Sequence, residues 1–277
     1  MFDHIGIMQG RLLPKYQNRY QAHPLGYWQK EFELSEKVGI NYIEFILDYN
    51  DFEKNPLMSL DGVDLISETI NKTGVGVRSV CADYFMEAPL HSEIQKIANQ
   101  SIEVLKVLLI NSHRLGITDI VIPCVDQSSL KSELAKQIFT SNINLVLEYA
   151  EKYNINLALE TDLGPSDFKN LLERFDSTKI KVNYDTGNSA SLGYDILEEF
   201  EAYGEKISDI HIKDRKLNGG SVKLGNGDTD FDNFFKAVST FCFEGPVILQ
   251  VYRDDEGVKI FKEQLEWFNK KLRGCQR

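Results

Sequence analysis

Eight short runs rich in Ile, Val, Leu and aromatic residues punctuate the chain: His4–Gln9, Tyr42–Leu47, Gly76–Ala82, Asp119–Cys124, Asn156–Glu160, Lys179–Tyr184, Ile207–Ile212 and Pro246–Val251. Most are continuous rather than alternating, as parallel strands covered on both faces are. Between them the apolar positions fall at three- and four-residue steps. That period predicts helices over Gln29–Val38, Val63–Lys72, Ile94–Leu115, Glu133–Tyr153, Ser166–Arg174, Leu192–Tyr203, Phe231–Phe241 and Gly257–Leu272. Several of these stop at a glycine (Gly39, Gly74, Gly116), the usual signal for a helix end.

Strand followed by helix, eight times over, predicts an α/β fold: a (β/α)8 TIM barrel forming a single domain over residues 1–277. The competing doubly wound sheet expects a Gly-x-Gly-x-x-Gly turn after an early strand, and here the first strand runs into GIMQGRLLP. No linker or shift in composition divides the chain. The long segment from Gly10 to Tyr27 lacks a helical pattern and carries Arg11, Lys15, Arg19 and His23. It reads as a lid or as a surface excursion.

Composition narrows the class. The chain has 277 residues, 42% of them hydrophobic, which is ample for a large core. A formal net charge of −11 argues against general nucleic-acid binding. None of the four cysteines form a C-x-x-C pair, and Cys81 and Cys124 lie inside apolar runs, the pattern of a reducing compartment. The N-terminus does not read as a signal peptide, and no apolar run approaches the ~20 residues of a membrane span. The expectation is a cytoplasmic protein with a small-molecule partner and neither a nucleic-acid nor a membrane partner; a homo-oligomer stays open.

In such a barrel, chemistry belongs at the C-terminal ends of the strands. That rule selects Gln9, Arg11, Glu44, Asp48, Asp83, Tyr84, Asp126, Glu160, Asp162, Asp185, Asn188, His211, Lys213, Asp214, Gln250 and Arg253. Several carboxylates and one histidine on one mouth repel each other unless a cation sits between them. Oxygen donors with one imidazole suit Mn2+, Mg2+, Co2+ or Zn2+ rather than a thiolate-seeking metal. Asp185, in VNYDTGNSASLGYD, fits either a metal or the start of the next helix. Asn188 or Ser189 can cap that helix instead, leaving Asp185 free.

The segments ALETD (158–162), YDTGNSASLGYD (184–195), DIHIKDR (209–215), LGNGDTDFDNFFKA (224–237) and GPVILQ (245–250) resemble, in order and spacing, the xylose-isomerase-like barrel superfamily. That group includes sugar-phosphate isomerases and epimerases and, more distantly, endonuclease IV. The motifs cover the C-terminal half; the N-terminal half matches through its βα rhythm. The resemblance implies one divalent metal ion held by Glu160, Asp185, His211 and the position of Gln250, where the family carries a glutamate. A glutamine carbonyl can still ligate a hard cation, but it cannot take up a proton. Glu160 is then the remaining member of a two-base pair. Single-base isomerisation of a sugar or sugar phosphate through an enediolate is therefore expected over two-base epimerisation. Asp83 or Glu44 could restore the second base.

The catalytic residues expected are Glu160, Asp83 and Lys213. Substrate contacts are expected from Gln9, Arg11, Glu44, Asn188, Arg215 and Arg253. Lys213, Arg215 and Arg253 suit a phosphate or, equally, salt bridges with nearby aspartates. The glycines of LGNGD allow either an anion-binding turn or a plain loop. Asn188 stands where many relatives have histidine. Of the five histidines, His4, His23, His91, His113 and His211, only His211 falls in a motif, which argues against the trinuclear zinc site of endonuclease IV. A keto-polyol (inosose-type) dehydratase and a sugar-binding barrel without turnover are the alternatives.

Overall fold

The computed structural model describes residues 5–255 and 257–274. Strands β1 (Ile5–Met8), β2 (Tyr42–Ile46), β3 (Gly76–Cys81), β4 (Asp119–Cys124), β5 (Asn156–Thr161), β6 (Ile180–Asp185) and β7 (Ile207–Ile212) follow the predicted runs. A small antiparallel hairpin, β8 (Asp214–Arg215) and β9 (Ser221–Val222), comes next, and then β10 (Val247–Leu249). All but the hairpin close into a parallel barrel in the order β1-β10-β7-β6-β5-β4-β3-β2. The predicted first strand reaches His4, which lies outside the described residues.

The helices are α1 (Gln29–Val38), α2 (Leu60–Thr73), α3 (Tyr84–Glu87), α4 (Gln95–Arg114), α5 (Glu133–Asn144), α6 (Leu147–Tyr153), α7 (Pro165–Leu172), α8 (Thr186–Leu192), α9 (Ile196–Tyr203), α10 (Phe231–Thr240) and α11 (Val258–Gly274). Two differ in kind from the sequence expectation. The single helix expected over 133–153 is two, because the backbone leaves helical geometry at the buried Val146 (φ −117°, ψ −6°). The helix expected from Leu192 starts later, at Ile196. Gly193 (φ 75°) first ends α8, and the Asp195 carboxylate then accepts from the Leu197 and Glu198 amides to start α9. Among the described residues, no helix is long and apolar enough to cross a membrane.

Most of the core lies between barrel and helices, with Phe32, Phe45, Phe139, Phe234 and Phe268 fully buried. The barrel interior is layered differently. Met8, Ile46, Cys81, Val121, Ala158 and Ile248 form a separate apolar cluster. Two residues earlier on their strands stand Glu44, Ser79 and Asp119, all buried, so the two-residue period of a strand sends them into the same lumen. Asn183, Asp209 and His211 join this buried polar layer from β6 and β7.

The segment after β1 folds back over the strand ends and is tied down at several points. Glu31, buried in α1, accepts from the Gly10 amide (2.6 Å) and the Leu12 amide (2.9 Å). Arg253 donates to the Arg11 carbonyl (2.8 Å) and the Leu13 carbonyl (2.9 Å). Asp48 takes Arg19 at 2.9 Å and the His23 amide at 2.7 Å. Gly10 sits at φ +90°, and a Cβ there would lie 1.7 Å from the Tyr20 carbonyl oxygen, so no other residue fits.

Burial pushes the Glu31 carboxyl up from 4.5 to about 7, against the two amides that favour its ionised form. Its proton is therefore held more tightly folded than unfolded. The stability it contributes is full below about pH 4.5 and is lost as pH rises through about 7. Glu31→Gln removes that slope and leaves one of the two amides unpartnered. Denaturant titrations at several pH values are expected to show a flatter profile over that window and a loss of about 1–3 kcal/mol.

Candidate active site

The strand ends bring three ligand-type side chains together. Atoms of Glu160, Asp185 and His211 lie within 4.8 Å of one another, and all three residues are buried. Glu160 is the member that reaches the wall of a cavity of about 630 Å³, within the range of small-molecule sites. Asp83, Asn188, Lys213, Arg215 and Gln250 also line that cavity, as do Arg19 and Gln21 from the segment after β1.

Glu160 is held at both oxygens. Asn183 donates to Oε2 at 2.9 Å and Asn188 to Oε1 at 2.6 Å. The Asn188 carbonyl in turn accepts from Arg215 at 2.9 Å. Burial, with the Asp185 charge second, pushes the Glu160 carboxyl up to about 7, against the pull of His211 and Lys213.

His211 spans two levels. Its Nδ1 stands 3.6 Å from Glu160 Oε2, while its Nε2 meets Glu44 Oε1 at 2.7 Å inside the lumen. The Ser79 hydroxyl donates to the other Glu44 oxygen at 2.5 Å. Burial pulls the His211 imidazole down, but Glu44 more than reverses this, and the group is pushed up to about 10. Burial and the Glu44 charge hold the Asp209 carboxyl well above the usual carboxylate range, so the lumen carries fewer negative charges than its residues suggest.

Asp185 does two things at once. Its Oδ1 accepts from the Gly187 amide (2.8 Å) and the Asn188 amide (2.9 Å), which caps α8. Its Oδ2 faces Lys213 Nζ at 3.4 Å. The cap expected from Asn188 or Ser189 is thus Asp185 itself, because its carboxylate sits where the first free amides of α8 point. One oxygen serves the helix and the other remains for the site.

Other residues expected at the substrate stand elsewhere. Glu44 has no exposed surface and sits beneath His211. Gln9 is also fully buried, its carbonyl accepting from the Ile46 amide at 3.0 Å. Arg11 donates to Gln21 Oε1 at 3.1 Å, and Arg253 is spent on the backbone carbonyls of the folded-back segment. None of these four lines the cavity. The amides of LGNGD face an internal anion: Asp214 Oδ2 accepts from Gly225 and Gly227, each at 2.8 Å. A Cβ on Gly227 would sit 1.9 Å from Asp214 Oδ1, so that turn wraps a side chain rather than a ligand.

Gln21 is a cavity-wall residue that the strand-end rule does not select. It accepts from Gln250 Nε2 at 2.8 Å and donates to Asp83 Oδ2 at 3.1 Å. Nothing local marks it, since its partners lie 62 and 229 positions away.

The donor set fits a hard or borderline divalent cation. Two carboxylates and an imidazole nitrogen converge, and the buried Gln250 Oε1 has no hydrogen-bond partner beside the same cavity. Fold and site together define a (β/α)8 barrel with a carboxylate–histidine cluster at the mouth. The chain belongs to the xylose isomerase-like TIM barrel family, whose model matches residues 32–271. It is 23% identical over 236 residues to the L-ribulose-5-phosphate 3-epimerase UlaE of Escherichia coli O1:K1, covering 82% of this chain and 83% of that one. Two solved structures share the fold. One is an L-ribulose 3-epimerase (TM-score 0.75, 17% identity, 99% of this chain and 96% of that one). The other is the IOLI protein with a bound zinc atom (TM-score 0.73, 18% identity, 98% and 97%).

Proposed function

We propose that this chain is a divalent-metal-dependent epimerase or isomerase of ketose sugars or ketose phosphates. The observation that carries the reading is the Glu160–Asp185–His211 cluster, within 4.8 Å, meeting the cavity at Glu160. Glu160, Asp185, His211 and the free carbonyl oxygen of Gln250 would hold the ion. A divalent cation there supplies Lewis-acid stabilisation of negative charge developing on a carbonyl oxygen.

Glu160 removes the proton from the carbon beside the carbonyl. Asn183 and Asn188 hold its two oxygens in place at the cavity wall, where a base must stand to take the proton and return it. Lys213, at the cavity wall beside Asp185, presents a positive charge to the developing oxyanion. Asn188 and Arg215 present amide and guanidinium donors to substrate hydroxyls or a phosphate.

Isomerisation needs Glu160 alone. Epimerisation needs a proton returned to the opposite face, which Gln250 cannot do. Asp83 is a carboxylate on the cavity wall, and burial raises its pKa above the ordinary value, as a proton donor requires. The 3-epimerase names of the relatives favour this two-carboxylate version. Asp83→Asn is then expected to lower epimer formation by about 10²–10⁴-fold while Glu160 continues to exchange the substrate proton with solvent. Equal loss of both would remove Asp83 as second base and return the reading to a single base.

The reading as a whole is tested with purified protein, Mn2+ and a panel of ketoses and ketose phosphates in D2O, followed by proton NMR. Deuterium at the carbon beside the carbonyl is the expected result. Failure to bind a divalent ion, with no exchange on any ketose, would overturn it.

A further inference from the structure

The amide of Gln250 could point either way, and only one way offers an oxygen to the site. The structure carries a reason for the choice. Arg11 Nη2 donates to Gln21 Oε1 at 3.1 Å. A guanidinium can only donate, so this contact forces the oxygen of Gln21 toward Arg11. The Gln21 nitrogen then faces the other way, where the Asp83 carboxylate accepts it at 3.1 Å. Gln250 meets the same Gln21 oxygen and must therefore present its NH2 group there, at 2.8 Å. Its own oxygen is left buried, without a partner, beside the cavity.

From this chain of fixed polarities we propose that Gln21 is a positioning residue: anchored by Arg11, it sets the Gln250 amide so that the carbonyl oxygen faces the metal site. The inference rests on the reading of Gln250 as a ligand. It also assigns Arg11 a task. Arg11 is buried and lies outside the cavity wall, yet it supplies the direction from which the neighbouring amides take theirs. The segment after β1 thereby takes part in the metal site without touching it.

The segment is well placed for this. Glu31 and Arg253 hold the backbone on both sides of Arg11, through Gly10, Leu12 and Leu13 and through the Arg11 carbonyl itself. Gln21 follows from a stretch pinned by Asp48 at Arg19 and His23. The amide is thus delivered to one place by bonds that do not involve the site.

The test measures Mn2+ affinity of the whole chain by electron paramagnetic resonance of the free ion, with thermal melting as the folding control. Gln21→Met has similar length and no acceptor. It is expected to weaken Mn2+ binding about 10-fold, the lower end of what is lost when a supporting partner of a metal ligand is removed. Gln21→Glu keeps an acceptor for both Arg11 and Gln250 but sets an oxygen against Asp83, so it is made together with Asp83→Asn, whose NH2 can meet it; that pair is expected to stay within about 2-fold of Asp83→Asn alone. Gln250→Met should weaken binding at least as much as Gln21→Met, and combining the two should add nothing, because both act through one contact. Unchanged affinity in Gln250→Met would remove the ligand reading itself. Weakening in Gln250→Met but not in Gln21→Met would leave the ligand in place and overturn the role of Gln21. Equal weakening in Gln21→Met and in Gln21→Glu/Asp83→Asn, each against its own parent, or losses that multiply in the Gln21→Met/Gln250→Met double variant, would overturn it as well.

Discussion

Glu160→Gln is expected to lower turnover by about 10²–10⁴-fold and to stop exchange of the substrate proton with solvent. Glu160 is the one member of the cluster at the cavity wall, and an amide there cannot accept a proton. The substitution also disturbs its support. Asn183 and Asn188 each donate to one Glu160 oxygen, so the new NH2 group must face one of two donors. A weaker hold on the ion is therefore expected alongside the lost base. Saturating Mn2+ separates the two effects: the affinity loss is overcome, and the exchange is not. Proton NMR in D2O reads the exchange directly. A variant that still exchanges at close to the parent rate would show that the base lies elsewhere.

The second large effect is expected one level lower. Glu44→Gln should weaken Mn2+ binding by about 10–100-fold while the chain stays folded. Glu44 accepts at 2.7 Å from His211 Nε2, and neither side chain has any exposed surface. With a cation held at the site, that bond would keep a ring proton on Nε2 and leave Nδ1, which meets Asn183 Nδ2 at 3.0 Å, as the ligand nitrogen on the side of Glu160. Glutamine can still accept from the ring, but without the charge that makes the ring a strong donor to a cation. Its NH2 end meets the Ser79 hydroxyl, which can turn to accept, so no buried donor is stranded. Nitrogen-15 shifts of His211 would show whether the tautomer survives. Unchanged affinity would mean that Glu44 only fills the lumen.

The barrel was legible because its evidence is repetitive: eight apolar runs, each followed by a helical period, leave few other architectures. Glu160, Asp185 and His211 were legible because each ends a strand or stands one residue from its end. What escaped falls into two kinds. Some signals are present but outweighed: Gly193 and Asp195 mark a helix end and a helix start within three residues, and the apolar pattern around them has the period of one helix. Glu44, Asn183 and Asp209 likewise interrupt strands at positions that alternate with apolar ones, which is how a polar lumen shows itself. Gln21 carried no local signal at all, and Arg253, marked by its place after the last strand, carried none of its part in holding the segment after β1. Their meaning lies in carbonyls and amides brought close only when the segment after β1 folds back.

The capped helix α8 has a consequence for how this mouth can change. Asp185 starts that helix with one oxygen and faces the site with the other. Removing the carboxylate therefore frays the turn that carries Asn188, which steadies Glu160. Drift at position 185 cannot be gradual, because ligand, helix start and base support would fail together. Asparagine, of the same length, keeps the cap oxygen while giving up the charge. A one-step route by which such a barrel loses its ion and keeps its shape thus runs through that substitution.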